Sequence, residues 1–151
     1  MQNFFDLYTG DNEIIKSVEN SIPINLLEND NKFSMIVGSN KSGKTSLAKS
    51  YSMLNQANLI FDIPKSLKNL KKTYLDLNSL NLADENLFHF LEYFISQDIG
   101  LTIFTSTDPL NVDENQAIIA DIKSRLSLFN IARIENPNDE LLFKLIQKFL
   151  K

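Results

Sequence analysis

The stretch Ser34-Met35-Ile36-Val37-Gly38-Ser39-Asn40-Lys41-Ser42-Gly43-Lys44-Thr45-Ser46-Leu47-Ala48-Lys49 decides how the chain folds. It begins as a short apolar strand, turns through a loop bracketed by glycines, and continues as a helix. Gly38 to Thr45 fits G-x-x-x-x-G-K-[ST] at every fixed position. Gly38 and Gly43 let the backbone bend where a Cβ would clash. The successive N–H groups of Ser39, Asn40, Lys41, Ser42, Gly43, Lys44, Thr45 and Ser46 can then face inward and cradle phosphate oxygens. Lys44 supplies a positive charge for the β/γ-phosphates, and the Thr45 hydroxyl suits Mg²⁺. The following helix points its positive end at the same phosphates. The alternative is a plain glycine turn between a strand and a helix. With only 4 glycines in the chain, two of them in this loop, the spacing favours the phosphate cradle.

Outward from this loop, the pattern alternates. Upstream, Ile14, Ile15, Val18 and Ile22 predict a helix ended by Pro23, and Glu28 to Lys32 a loop. Strands are predicted at 33–37, 59–62, 73–77, 101–104 and 131–134. Helices are predicted at 43–53, 84–97, 114–126 and 138–151, with Asp84 as an N-cap. Strands alternating with helices through short loops imply an α/β fold: a five-stranded parallel sheet with helices on both faces. Ligands of such sheets bind at the carboxyl ends of the strands. Asp76 and the Thr105-Ser106-Thr107-Asp108-Pro109 run fall at those ends, beside the glycine loop.

Composition sets bounds. The 151 residues suit a single domain, 1–151, and the net charge of −4 argues against a surface built for non-specific DNA binding. There are 0 cysteines and 1 histidine, which excludes thiol catalysis and makes imidazole metal sites poor bets. His89 is read as an ordinary helix residue. No apolar run approaches the ~20 residues that span a bilayer, and no secretory leader is seen, so a soluble cytoplasmic protein is expected. Lys65, Lys68, Lys71 and Lys72 read as a solvated face or as a local phosphate-contacting patch.

Asp76 is the candidate Mg²⁺ acid, though an Asp at a strand end is also a common turn former. Its neighbours Leu75 and Leu77 leave no second acid to activate water, so fast hydrolysis is not expected. Thr105, Ser106 and Asp108 can sense a γ-phosphate, or form an Asp-Pro turn. Arg125 can snorkel at the edge of a buried helix or present its fork to a phosphate.

Taken together, the chain resembles the DnaA-type branch of the AAA+ ATPases, and within it the small Hda-type regulatory homologues. Four stretches carry the likeness: Phe4 through Gly10-Asp11-Asn12, the Gly38–Thr45 loop, Thr105 to Pro109, and Asp121-Ile122-Lys123-Ser124-Arg125-Leu126. The resemblance implies a P-loop AAA+ core binding ATP or ADP with Mg²⁺. Tyr8 and Asn12 would lie near the base, Thr105 and Asp108 would form the sensor, and Arg125 would be the arginine finger. Asp76 matches the first acid of the family's strand-three motif by position, but the apolar pattern at Leu77 and Leu80 fits it better to the second, and then Leu75 stands where the metal acid belongs. The family's helical lid is reduced to one helix, about Asn138 to Lys151. The link between strands two and three is too short for single-strand-binding helices, and there is no helix-turn-helix for sequence-specific DNA binding. A DnaA-type initiator is the implied partner. The sliding clamp is implied only through Gln2-Asn3-Phe4-Phe5-Asp6-Leu7, a weak imitation of the clamp-binding peptide. Two other readings stay open: a small-molecule P-loop kinase, though arginines are few, and a degenerate AAA+ interaction module.

Overall fold

The computed structural model describes residues 21–29, 31–39 and 42–134. The chain order is α1 (Ser21–Glu28), β1 (Phe33–Val37), α2 (Lys44–Leu54), β2 (Asn58–Ile60), β3 (Thr73–Asp76), α3 (Glu85–Gln97), β4 (Leu101–Thr105), α4 (Ala117–Leu126) and β5 (Asn130–Arg133). A 3₁₀ turn, Pro109–Asn111, stands between β4 and α4. The 5 strands form one sheet in the order β2-β3-β4-β1-β5, and every pairing is parallel.

Right-handed crossovers explain which helix covers which face. From β1 to β2 the chain moves toward one edge of the sheet, and α2 lies on one face. From β2 onward it steps back toward the other edge, so α3 and α4 lie on the opposite face. The strands serve both faces by alternation. Met35 and Val37 of β1, Leu75 of β3 and Ile103 of β4 join Leu87, Phe90, Leu91 and Phe94 of α3 and Ile119, Ile122 and Leu126 of α4. Ile36, Tyr74, Phe104 and Ala132 instead meet Ile24 and Leu27 of α1 and Leu47, Ala48 and Tyr51 of α2. Asn55, which caps the end of α2, donates to the Leu27 carbonyl at 3.0 Å and to the Tyr74 hydroxyl at 2.6 Å. One side chain thus fixes α1, α2 and β3 to each other.

The α/β fold with a five-stranded parallel sheet and helices on both faces is as the sequence implied. Some boundaries differ. Pro23 does not end a helix; it sits in the first turn of α1, Ser21–Glu28. A first-turn N–H has no intrahelical acceptor, so proline loses nothing there. α4 begins at Ala117, not Glu114, because residues 109–116 are spent on the 3₁₀ turn and an extended approach. β2 is shorter than 59–62, as an edge strand with a single partner. Asp84 caps α3 as expected, accepting from the Asn86 N–H at 2.9 Å. The expected helix over 138–151, Tyr8, Asn12 and the Gln2–Leu7 segment lie outside the described residues.

Candidate functional site

β1 ends at Val37, with Thr105 of β4 on one side of it and Arg133 of β5 on the other. The ladder continues one step past the strand: the Gly38 N–H donates to the Thr105 carbonyl at 3.0 Å. The loop then has to turn in a crowded place. A Cβ on Gly38 would stand 2.5 Å from Ser42 Oγ and 3.1 Å from Ile134 Cβ. Gly43 takes φ 89°, ψ 13°, a left-handed conformation that costs glycine little, and α2 begins at the next residue.

Within the loop, the Ser39 carbonyl gathers donors. Ser42 N–H reaches it at 3.1 Å, Ser42 Oγ at 2.7 Å and Lys44 Nζ at 2.6 Å. Asn40 and Lys41 lie outside the described residues. Lys44 is 5% exposed. Burial holds its ammonium below the ordinary lysine value, while the Asp76 carboxylate opposes that shift. The two groups therefore feel each other across the gap between α2 and β3. A buried ammonium resting on a carbonyl is one that an incoming phosphate can recruit, because the exchange replaces a neutral acceptor with an anionic one.

The N-termini of α2 and α3 differ. Asp84 caps α3 and Glu85 adds an acid to its first turn. No side chain caps α2, and its first turn contains no acid. The positive end of α2 is left for a ligand's negative charge. Ser46 is buried within it, and Thr45 is exposed.

Asp76 closes β3. It pairs with Phe104, and its strand neighbour Tyr74 belongs to the cluster beneath α2. Leu75 is fully buried on the opposite face, against α3. Alternation therefore turns position 76, and not 75, toward the loop. Leu77, where a second acid would stand, packs into the α3-side cluster. For Mg²⁺, an exposed Thr45 hydroxyl and a carboxylate on the loop side are a fitting pair, since this ion takes few protein ligands and completes its shell with phosphate and water. No group of 3 or more His, Cys, Asp or Glu assembles among the described residues, so the ion would depend on the phosphates.

The β4 end is more structural than its sequence indicates. Thr105 is fully buried, and its hydroxyl donates to the Asn78 carbonyl at 2.9 Å. Ser106 donates to the same carbonyl through N–H at 2.8 Å and Oγ at 2.6 Å. Thr107 Oγ1 accepts from the Leu80 N–H at 2.9 Å. The run thereby clamps the loop that comes after Asp76. Asp108 caps the 3₁₀ turn through Leu110 N–H at 3.0 Å and receives Arg133 Nε at 2.6 Å and Nη2 at 2.9 Å. The Arg133 hydrogen bonds hold the Asp108 carboxyl below its ordinary value. Arg133 carried no signal in the sequence, being 25 residues from its partner. β4 and β5 flank β1, and that alone brings the pair together above the end of β1.

Arg125 lies far from this cluster. α4 runs against the strands, and only 127–129 separate it from β5, whose first residue Asn130 pairs with Ser34 near the start of β1. Ser34 to Gly38 spans roughly 13 Å at ~3.3 Å per residue. The last turn of α4 therefore stands at the base of the sheet, opposite the glycine loop.

No family model and no curated protein matches the chain. Solved structures do. The crystal structure of DnaI superposes with a TM-score of 0.65 at 14% identity, over 87% of this chain and 90% of that one. Domain III of the replication initiation protein DnaA from Thermotoga maritima gives 0.66 at 15%, over 95% and 71%. AMPPCP-bound DnaA from Aquifex aeolicus gives 0.64 at 16%, over 99% of this chain and 56% of that one, so this chain spans little more than half of that protein. At these identities the likeness concerns the fold. The chain has the α/β P-loop fold of the DnaI and DnaA structures.

Proposed function

We propose that the chain is a nucleotide-binding regulator of bacterial DNA replication initiation. It docks on a DnaA-type AAA+ partner and stimulates that partner's ATP hydrolysis, as the Hda-type homologues do by resemblance. ATP or ADP with Mg²⁺ is the ligand of its own site. The observation that carries this reading is the separation of two phosphate-directed elements. The uncapped α2 terminus with Lys44 and Asp76 sits at the carboxyl edge of the sheet, and Arg125 sits at the base. An arginine there is out of reach of its own loop, and the resemblance of its segment to the family's finger is what aims it at another molecule's nucleotide.

In the proposed site, the loop amides and the Lys44 ammonium bind the phosphates. Thr45 and Asp76 would hold Mg²⁺, which screens phosphate charge when bound. Asp108, spent on Arg133 and on capping, keeps the β4 end in shape. Thr105 does the same from inside. With Leu77 in place of a second acid, nothing on β3 takes a proton from water, so own-site turnover stays far below the ~10 s⁻¹ of a median enzyme.

The test has two parts. Titration with a fluorescent ADP should show saturable, Mg²⁺-dependent binding. The host's DnaA-type initiator loaded with ATP should then hydrolyse faster when the chain is added. Binding without stimulation would reduce the protein to a nucleotide-binding module. Transfer of phosphate to nucleosides or small metabolites would move it to the kinases.

A further inference from the structure

The surface that carries Arg125 is built from α3 as well as α4. Arg125 Nε donates to Glu92 Oε1 at 2.5 Å. Its guanidinium carbon lies 4.5 Å from the centroid of the Phe88 ring. Nη1 reaches the Asp121 carbonyl, one turn back on α4, at 3.3 Å. Phe88 and Glu92 are one turn apart on α3 and so present a ring and a carboxylate on the same stripe. The ring covers one face of the guanidinium, and the carboxylate takes its inner edge. Nη2 has no hydrogen-bond partner among the described residues. The side chains of Arg125 and Glu92 are 29% and 41% exposed, enough to be approached from outside.

We propose that Glu92 and Phe88 are positioning residues, which hold Arg125 with Nη2 unspent for the phosphate of a nucleotide bound to another AAA+ molecule. This rests on the function proposed above. A free arginine loses much of its rotamer freedom when it docks; one already anchored through Nε and stacked on a ring has lost it beforehand. The opposite role, storage of an idle finger, would have the carboxylate occupy the terminal fork that phosphate needs. Here the carboxylate takes Nε instead. Glu92 also cancels part of the charge that would otherwise attract solvent anions, so the residue waits for a ligand that can reach Nη2.

Glu92→Gln keeps the shape and removes the charge, which makes it the variant of choice. In the parent chain alone, the ¹⁵N side-chain spectrum contains one Nε–Hε signal each from Arg125 and Arg133, the only arginines. Arg125→Lys assigns them. The Arg125 Hε should exchange slowly in the parent and at least about tenfold faster in Glu92→Gln. With the ATP-loaded initiator, Glu92→Gln should lower the maximal stimulation about tenfold and leave the concentration for half-stimulation nearly unchanged, the signature of a group that acts in the transition state. Fast exchange of Arg125 Hε in the parent overturns the cradle, whatever the partner does. A Glu92→Gln chain that stimulates as well as or better than the parent overturns positioning in favour of storage. Slow exchange in a parent that stimulates nothing overturns the function reading and, with it, the purpose of the cradle.

Discussion

The two arginines of the chain are each paired with a carboxylate, and the pairs differ in how the carboxylate takes its arginine. At the carboxyl edge of the sheet, Arg133 gives Nε and Nη2 to the two oxygens of Asp108, a side-on fork that consumes the carboxylate. At the base, Arg125 gives Glu92 only Nε and rests on Phe88. The first pair closes a gap above β1 and belongs to the architecture of the site. The second fixes an arginine in place with one bond to the carboxylate and one, from Nη1, to the Asp121 carbonyl of its own helix. Ion pairing alone therefore does not separate a structural arginine from a functional one: each spends two nitrogens, and the pairs differ in whether the carboxylate takes both or one.

The largest expected effect is at the base. Arg125→Ala should cut stimulation of the partner's hydrolysis by at least about 100-fold, below the 10³–10⁵ that trans-acting fingers give in GTPases because the partner keeps its own site. ADP binding and the melting temperature should barely move. Arg125→Lys should fail as well, since a point charge cannot fork. If stimulation survives in both variants in proportion to the folded fraction, the two arginines are alike and the comparison collapses.

Next comes Lys44→Ala at the other end. Saturating ADP at 100 times its dissociation constant should stabilise the parent by about 2.7 kcal/mol and the variant hardly at all. Thermal melts with and without ADP read this directly, and an equal rise in both would show that the nucleotide is not held by this loop.

Gly38→Ala should be costly without touching any charge. Its Cβ meets Ser42 Oγ, which is itself tied to the Ser39 carbonyl, and Ile134 Cβ beyond it. Overpacking of this kind costs about 1–3 kcal/mol, and the loop should lose nucleotide affinity together with stability. Urea unfolding of the parent and variant checks the first; a variant as stable as the parent would mean that the loop yields and that its crowding sets nothing.

The smallest effect concerns Asp108. Arg133 holds its carboxyl below the ordinary value. The pair's stabilisation is therefore complete above the unfolded carboxylate value of about 4 and is lost as pH falls through the lower folded value. Asp108→Asn retains an oxygen for the Leu110 N–H but loses the charge. For a pair this exposed, the loss at neutral pH should be about 0.2–1 kcal/mol. The gap between the two urea midpoints should close as the pH drops below 4. A gap that persists there would mean that the cap or the packing, rather than the ion pair, is what Asp108 supplies.

Much of this site can be read in order along the chain. The Gly38–Thr45 loop is contiguous, and its chemistry comes from residue types at fixed spacing. Asp84 announces α3 by its position before an apolar stripe. Pro23 misleads because a proline is compatible with both a helix end and a first turn, and only the packing of Ile24 and Leu27 beneath β1 and β5 settles which. The start of α4 reads too early because Glu114 fits a helix as well as Ala117 does; Lys123 fixes the approach instead, donating to the Val112 carbonyl at 2.9 Å. The register of the strand-three acid stays open in sequence, because position matches Asp76 to the first acid while the apolar pattern at Leu77 and Leu80 suits the second.

The sequence by itself determined the alternation of strands and helices, the phosphate-binding loop, and the shortage of acids beside Asp76. Each is local: hydrophobic period, glycine conformation and side-chain chemistry act within a few residues. Only the tertiary structure decided that Asp76 faces the loop, that Arg133 meets Asp108, and that Glu92 and Phe88 hold Arg125. Those pairings depend on strand order and on which face each helix covers. Arg125 and Glu92 are 33 residues apart, and nothing in either segment names the other until α3 and α4 pack side by side on one face of the sheet.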